Sequence, residues 1–181
     1  MSDLGNVWPP VPIRTDRLLL RAACADDRSA VIELFASEEV GRYVGGARPR
    51  TELEQVVPEA PGQRPGFFAV EREGTTLGTV TLDPRAEHHP HPDALDLGYL
   101  FLPAHWGHGY AAEAVAGVLD WLAAVRPGGR VLVTTQTANV RSLRLAVRLG
   151  FTEIERFTEH GAEQWLGGRG ALSGDGRAAT R

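Results

Sequence analysis

A glycine-containing turn between a predicted strand and a long predicted helix constrains the fold of this chain most strongly. Residues 95–102 are strand-like, and the turn that follows reads His105-Trp106-Gly107-His108-Gly109-Tyr110-Ala111. Apolar residues then recur at helical spacing from Ala112 to about Val125, which predicts a helix. A strand–turn–helix junction points several backbone N–H groups and the positive end of a helix toward one place, so it can bind a phosphate or pyrophosphate without a charged side chain. The Gly-x-Gly spacing alone fits an ordinary tight turn equally well, since it lacks the remaining residues of a P-loop or a dinucleotide-binding turn.

The rest of the chain predicts a single mixed α/β domain. Further strands are predicted at 17–21, 67–70, 77–82, 130–136, 151–157 and 162–166. Further helices are predicted to begin at Asp26, Ser37, Thr51 and Asn139, with Thr51 and Glu54 forming a capping box. This order predicts one mixed sheet with helices packed against it over residues 15–166, after an irregular segment at 1–14 and before a disordered tail at 167–181.

Composition narrows the class of protein. The net charge of −4 argues against a nucleic-acid partner, which usually selects for a basic surface. One cysteine excludes an intramolecular disulfide and fits a reducing compartment. The N-terminus lacks the pattern of a secretory signal, and no stretch approaches the ~18 apolar residues of a membrane span. We therefore expect a cytoplasmic protein with no membrane partner.

A histidine-rich stretch, His88-His89-Pro90-His91, is the one pattern that suggests a metal. Its spacing matches no closed zinc site, so we predict a polar loop and no metal.

Three segments together resemble the GNAT N-acetyltransferases, and in particular the branch of the ribosomal-protein alanine N-acetyltransferases. The first is the glycine turn with its flanks, from Leu97 to Ala114, which is similar to the acyl-CoA-binding segment of that family. The second, from Thr15 to Arg21, is similar to the first strand of the branch. The third combines Asn139-Val140-Arg141-Ser142 with Leu149-Gly150-Phe151. The resemblance implies a GNAT fold, in which a splayed, mostly antiparallel central sheet is flanked by helices.

The resemblance also implies where an acyl-CoA binds. The loop that holds the CoA pyrophosphate corresponds to Trp106, Gly107, His108, Gly109, Tyr110 and Ala111. Phe101 and its neighbours, on a strand that splays from the next one, then offer backbone groups to the pantetheine arm. One N–H near Leu100 or Phe101 is placed to stabilise an oxyanion at the thioester. This chain has a tryptophan at the head of the loop and His108 where a basic residue is usual, so backbone N–H groups carry most of the anion binding.

Three polar residues are candidates for the remaining roles. Asn139 fits an N-cap and, by resemblance, a hydrogen-bond partner of the pantetheine. Ser142 is implied as the acid that protonates the departing thiolate, because Ala146 occupies the position of the family's usual tyrosine acid. Asp96 is the candidate base that takes the proton of the acceptor amine, directly or through water, although a solvent-facing carboxylate is the simpler interpretation of its sequence position.

The resulting hypothesis is an N-acetyltransferase that moves an acetyl group from acetyl-CoA to a primary amine by direct attack in a ternary complex. The amine belongs to a protein N-terminus or to a small molecule, and residues 38–66, the 83–94 loop and the last hairpin are expected to form its site. Other acyl donors such as succinyl-CoA, an antibiotic amine, a non-catalytic CoA sensor and an unrelated phosphate-binding domain stay open as alternatives. A homodimer is compatible with the exposed edges of a splayed sheet.

Overall fold

The computed structural model describes residues 4–8, 10–85 and 90–170, and it contains one eight-stranded sheet. In chain order, strands β1 to β8 span Ile13–Arg14, Leu19–Ala22, Phe67–Arg72, Thr75–Pro84, Leu95–Phe101, Val131–Gln136, Thr152–Glu159 and Ala162–Arg169. Their spatial order is β1-β2-β3-β4-β5-β6-β8-β7. Helices α1 to α5 span Arg28–Ala36, Glu38–Gly41, Arg50–Val56, Tyr110–Val125 and Val140–Arg148.

The sheet is almost entirely antiparallel, as expected from its hairpins. The turn between β3 and β4 consists of Glu73 and Gly74, both in the left-handed region, which is the conformation that two-residue hairpin turns require. β5 and β6 are the one parallel pair among the described strands, since α4 connects them as a crossover.

Helices cover both faces of the sheet. α4 buries Ala114, Val115 and Val118 in the main apolar core, against sheet residues such as Phe68 and Leu97. On the opposite face, residues of α1 and α2 pack against the end of β5 and the residue that follows it. The sheet is therefore packed against helices on both of its faces.

A buried carboxylate joins α1 to the sheet. Asp27 is 1% exposed and accepts hydrogen bonds from both terminal nitrogens of Arg21 (2.8 and 3.1 Å) and from the Thr76 hydroxyl (2.5 Å). Burial by itself raises the pKa of Asp27, but these hydrogen bonds outweigh it and leave the pKa below its usual value. The carboxylate is therefore ionised at neutral pH and links β2, β4 and the start of α1.

The predicted fold class is confirmed: the model is mixed α/β with a mostly antiparallel sheet flanked by helices. Some boundaries differ. β1 lies in the segment predicted to be irregular, where its pairing with β2 orders it, and β8 continues to Arg169, past the predicted end at 166, because it pairs along β6 to Val131. The described sheet thus spans residues 13–169.

The predicted capping box of Thr51 and Glu54 is wrong. α3 begins one residue earlier, at Arg50, and its N-cap is Pro49, which makes no side-chain cap. The fixed φ of proline orients the chain for helix entry without a capping hydroxyl. Among the residues that the model describes, no helix is long and apolar enough to cross a membrane.

Candidate active site

The centre of the candidate site is the splay between β5 and β6. The two strands are paired only at Leu95–Val131 and Asp96–Leu132, and they separate beyond that point. On its other side β5 stays paired with β4 from Pro84–Leu95 to Gly78–Phe101. The second half of β5 therefore presents unpaired backbone groups to an open cleft, as the resemblance implied.

The direction of these backbone groups follows from two hydrogen bonds at the ends of β5. The Leu95 N–H donates to Arg130 on the β6 side (2.9 Å), and the Leu102 N–H donates to Leu77 on the β4 side (3.0 Å). Because N–H groups alternate along a strand, the N–H groups of Tyr99 and Phe101 point into the splay, whereas that of Leu100 points to β4. Of the two oxyanion donors left open by the sequence, Phe101 is the one that faces the cleft.

Trp106 covers the splay at the head of the loop. Its indole N–H donates to the Phe101 carbonyl (2.7 Å), and the Arg141 guanidinium lies 5.7 Å from the centre of its ring. The Phe101 carbonyl is thereby satisfied by the protein, while the N–H of the same residue stays directed at the cleft. This tryptophan also connects the loop to the first turn of α5.

The glycine turn has the geometry of an anion cradle. Gly107 and Gly109 have φ values of +83° and +80°, in the left-handed region that side chains strongly disfavour. Gly109 is the N-cap of α4, and the first intrahelical bond runs from Glu113 to its carbonyl (3.1 Å). Within the described part of the chain, the N–H groups of residues 107–112 donate no hydrogen bond. They form a cluster of donors at the positive end of a 16-residue helix.

A group of residues far apart in sequence holds this turn in place. The Glu113 carboxylate accepts hydrogen bonds from the Thr15 hydroxyl (2.6 Å), the Arg17 N–H (2.8 Å) and the Arg17 Nε (2.7 Å). The same guanidinium donates through Nη1 to the His108 carbonyl (3.0 Å) and lies 4.7 Å from the centre of the Tyr110 ring. We call Thr15, Arg17 and Glu113 the loop clamp. Burial raises the pKa of Glu113, but the hydrogen bonds from Thr15 and Arg17 bring it below its usual value, so the clamp is charged at neutral pH.

The side chains of His108 and Tyr110 in the loop contact other groups of the protein. His108 stacks on Tyr110, with ring centres 5.5 Å apart and planes 27° apart. Tyr110 is buried and accepts a hydrogen bond from Arg72 through its hydroxyl. The anion-binding capacity of the loop therefore lies mainly in its backbone.

At the start of α5, the structure brings Ser142 against a residue that the sequence did not single out. The Asn139 side chain caps the helix by accepting the Ser142 N–H through Oδ1 (3.3 Å), as its N-cap interpretation predicted. The Ser142 hydroxyl lies 2.6 Å from the Tyr99 hydroxyl, which comes from the splayed half of β5. Burial raises the pKa of Tyr99 above its usual value, and its hydrogen bond with Ser142 offsets only part of that shift. Tyr99 is therefore a neutral phenol inside the cleft.

Asp96 lies at the closed end of the splay, where β5 and β6 are still paired. Its carboxylate is 3.2 Å from the Nε of Arg85, whose side chain is only 13% exposed. Asp96 is not among the residues that line the cleft. The structure thus separates this candidate base from Ser142 and the glycine turn, which do line it.

The cleft has a volume of about 1380 Å³ and two unlike ends. At one end it is lined by the glycine turn, the start of α5 and three arginines of one helical face, Arg141, Arg144 and Arg148. At the other end it is lined by residues 39, 40 and 42–44 around the end of α2, by Arg64 and Phe67, and by Gln164 of β8. This second wall includes parts of the 38–66 segment and the last hairpin, both of which the sequence predicted for the acceptor. The described residues of the 83–94 loop do not contribute to it.

The predicted histidine loop lies partly outside the described residues, since His88 and His89 are not described. His91 is described, and its Nδ1 lies 2.9 Å from the Arg130 guanidinium. Burial and the neighbouring arginines lower the pKa of His91. No group of three potential metal ligands occurs among residues 4–8, 10–85 and 90–170.

No local sequence pattern indicates the contacts that Tyr99 and the loop clamp make across the fold. Tyr99 shares a face of β5 with Leu97 and Phe101, and its aromatic ring packs against the main core. Glu113 lies in the first turn of α4, where an acidic residue is favourable even without a partner. The pair of Tyr99 and Ser142 is separated by 43 residues of sequence and that of Thr15 and Glu113 by 98, and no local pattern predicts contacts at such separations.

A splayed sheet, a glycine turn that begins a helix and a facing helix with an Asn-x-x-Ser start are the features that the resemblance to an acyl-CoA-binding acyltransferase implied. The comparisons with known proteins agree. Residues 17–152 match the family model described as "Acetyltransferase (GNAT) domain". The chain belongs to the GNAT acetyltransferase family, and it is an acyl-CoA-dependent N-acetyltransferase that transfers an acetyl group to an amine.

One curated relative and two solved structures illustrate the similarity. The chain is 29% identical over 151 residues to the uncharacterized N-acetyltransferase YoaA of Bacillus subtilis, covering 77% of this chain and 81% of the relative. It is similar to a GNAT acetyltransferase structure from Bacillus anthracis, with a TM-score of 0.74, 22% identity and coverage of 88% and 98% of the two chains. RimL, a ribosomal L7/L12 α-N-protein acetyltransferase solved with coenzyme A, has a TM-score of 0.70 at 15% identity, covering 88% of this chain and 98% of its own. At these identities the two structures establish the fold.

Proposed function

We propose that this protein transfers the acetyl group of acetyl-CoA to a primary amine, with the donor bound between the glycine turn and α5. The observation that carries the proposal is the splay of β5 from β6, which opens beside the N–H groups of residues 107–112 and the Ser142 hydroxyl in one cleft.

The residues present fit an acyl-CoA donor. Six backbone N–H groups without partners in the described chain suit a pyrophosphate, and the α5 arginines suit further phosphate charge. The Asn139 side chain uses its Oδ1 for the helix cap, which leaves its NH₂ group for an amide of the pantetheine arm. The unpaired backbone of β5 complements the same amide-bearing arm. The structure of RimL with coenzyme A supports this use of the fold, although its identity to the present chain is low.

The chain's residues then have distinct chemical roles. The Phe101 N–H donates to the oxygen of the thioester as negative charge develops there during attack. The Ser142 hydroxyl donates a proton to the departing thiolate. The proton of the attacking amine leaves through water, and Asp96 can receive it only through that water, because its carboxylate lies outside the cleft beside Arg85.

The acceptor in this proposal is an α-amine of a protein N-terminus or a small-molecule amine. An α-amine, with a pKa of about 7.7–8.0, is far less protonated at pH 7 than a lysine amine at about 10.4, so it needs a weaker base. That preference fits a cleft in which the candidate carboxylate base is remote. A cytoplasmic location and a homodimeric state accompany the proposal as predictions from the sequence.

An acceptor screen tests this function. Acetyl-CoA is mixed with the protein and with peptides carrying free N-termini, polyamines or aminoglycosides, and thiol release is measured, with succinyl-CoA as a second donor. We expect thermal stabilisation by CoA, and thiol release with acetyl-CoA that is fastest with an α-amine. Stabilisation by CoA without thiol release from any amine would favour a non-catalytic CoA-binding module. Absence of both would contradict the proposal.

A further inference from the structure

The Tyr99 hydroxyl is a polar group of the cleft that the proposed chemistry leaves unused, and it is paired with the hydroxyl of Ser142. The oxygen atoms are 2.6 Å apart, which is a short hydrogen bond between two hydroxyls. Tyr99 belongs to the splayed half of β5 and Ser142 to the first turn of α5, so the bond crosses the open side of the splay. Both residues line the cleft.

The direction of this hydrogen bond follows from the chemistry of the two groups. A phenol is a stronger proton donor than an alkyl alcohol, and burial keeps Tyr99 protonated. The Tyr99 hydroxyl also lies 3.4 Å from the Ser142 carbonyl, so its hydrogen points toward Ser142 in either arrangement. With Tyr99 as donor, the Ser142 hydroxyl accepts on one side and its own hydrogen is free to point elsewhere.

The hydrogen bond from Tyr99 compensates for the poor acidity of a serine hydroxyl. A serine that gave up its proton alone would become an alkoxide, which is a much stronger base than a phenolate and is poorly stabilised in a half-buried cleft. A phenol that donates to the same oxygen can replace that proton as it leaves. The usual helix tyrosine of the family is absent here, and Ala146 stands in its position. The structure supplies a tyrosine hydroxyl from a strand instead.

We propose that Tyr99 is a positioning residue that orients the Ser142 hydroxyl and reprotonates it during thiolate departure; the proposal rests on the function proposed above. As the C–S bond of the tetrahedral intermediate breaks, the sulfur takes the proton of Ser142 Oγ and becomes a thiol. Ser142 Oγ takes the proton of Tyr99 Oη, and the resulting phenolate recovers a proton from solvent. The amine's own proton leaves to water, so charge and protons balance.

A double-mutant cycle tests this proposal with Tyr99→Phe, Ser142→Ala and both changes together. Phenylalanine keeps the buried ring, and Ser142→Thr serves as a matched control because it keeps a hydroxyl. We expect each of Tyr99→Phe and Ser142→Ala to lower kcat at least about tenfold with an unchanged CoA dissociation constant, and the double variant to be no slower than the slower single one. Ser142→Thr should retain most of the activity that Ser142→Ala loses.

Proton movement and the hydrogen bond are measured separately. In mixtures of light and heavy water, the wild-type rate should depend non-linearly on the deuterium fraction, because two protons move together, and Tyr99→Phe should give a straight line. In the free protein, the ¹³Cζ resonance of Tyr99 should shift in Ser142→Ala, and this readout needs no turnover.

The outcomes separate the two proposals. Wild-type protein that turns over no amine would contradict the proposed function. The hydrogen bond between Tyr99 and Ser142 is then still tested by the ¹³Cζ resonance of Tyr99, and an unchanged resonance in Ser142→Ala would contradict it. An active wild type with Tyr99→Phe within twofold of its kcat, or a double variant that multiplies the two single losses, would overturn the role of Tyr99.

Discussion

The two ends of the cleft are built in different ways. At the donor end, the glycine turn is held by the loop clamp, with four hydrogen bonds of 2.6–3.0 Å to Glu113 or from Arg17. At the acceptor end, the wall around the end of α2 contains exposed side chains such as Glu39, Arg42 and Val44. A long hydrogen bond of 3.4 Å from the Gln136 side chain to the Tyr43 carbonyl connects this wall to β6. The donor end is thus held by the protein before any ligand arrives, whereas the acceptor wall presents exposed side chains to the cleft.

This difference separates the part of the site that the fold itself determines from the part that depends on individual side chains. In the proposed function the donor binds through backbone groups, which any sequence can supply once two glycines and a helix start are in place. In the same proposal the acceptor binds through side chains, so specificity depends on residues that the fold itself does not dictate. The comparison therefore predicts large effects on CoA binding from backbone changes at the turn, and smaller effects from changes in the clamp.

The largest effect is expected from Gly109→Val. Valine is strongly disfavoured at φ +80°, and a single left-handed residue with a side chain costs about 1–2 kcal/mol or more. Reorganisation of the turn moves the N–H donors, so we expect the dissociation constant of CoA, measured by calorimetry, to rise about tenfold to a hundredfold.

Gly128→Val is the matched control for this change. Gly128 has φ +76° with open space around its missing side chain, and it lies at the opposite end of α4. It should lower the melting temperature without changing CoA affinity. Equal CoA affinity in Gly109→Val and wild type would mean that the turn has a structural role and does not bind CoA.

A smaller effect is expected from Arg17→Ala. The change removes the donor to the His108 carbonyl and the charge partner of Glu113, but Arg17 is 44% exposed, so solvent screens part of the loss. We expect the KM for acetyl-CoA to rise about threefold to tenfold, with kcat and the KM for the amine nearly unchanged.

The control is Arg156→Ala, which removes an exposed arginine paired with Glu153 away from the cleft. It should leave all three constants unchanged. A rise in the KM for the amine alone in Arg17→Ala would mean that the loop clamp serves the acceptor end and does not serve the donor end.

The sequence predicted those parts of the molecule that depend on local physics. The glycine turn and the Asn139 cap each follow from the conformational preferences of one or two residues. The capping box at Thr51 failed because a proline one position before the observed start offered another way into the helix.

The long-range contacts could not be predicted in this way. The bond from Trp106 to Phe101, the clamp from Thr15 to Glu113 and the pair of Tyr99 and Ser142 depend on strand register and helix placement. The position of Asp96 shows the same limit. The sequence of β5 leaves open which part of the splay Asp96 occupies, and only the two-residue pairing with β6 places it at the closed end.

The central claim is that backbone N–H groups of residues 107–112 hold the phosphates of the donor, and amide hydrogen exchange on adding CoA tests it most directly. We predict strong slowing of exchange at the amides of residues 107–112, and little change at residues 39–44 of the acceptor wall until an amine is also present. Protection confined to α5, with unchanged exchange at residues 107–112, would contradict the claim and assign phosphate binding to the arginines of that helix.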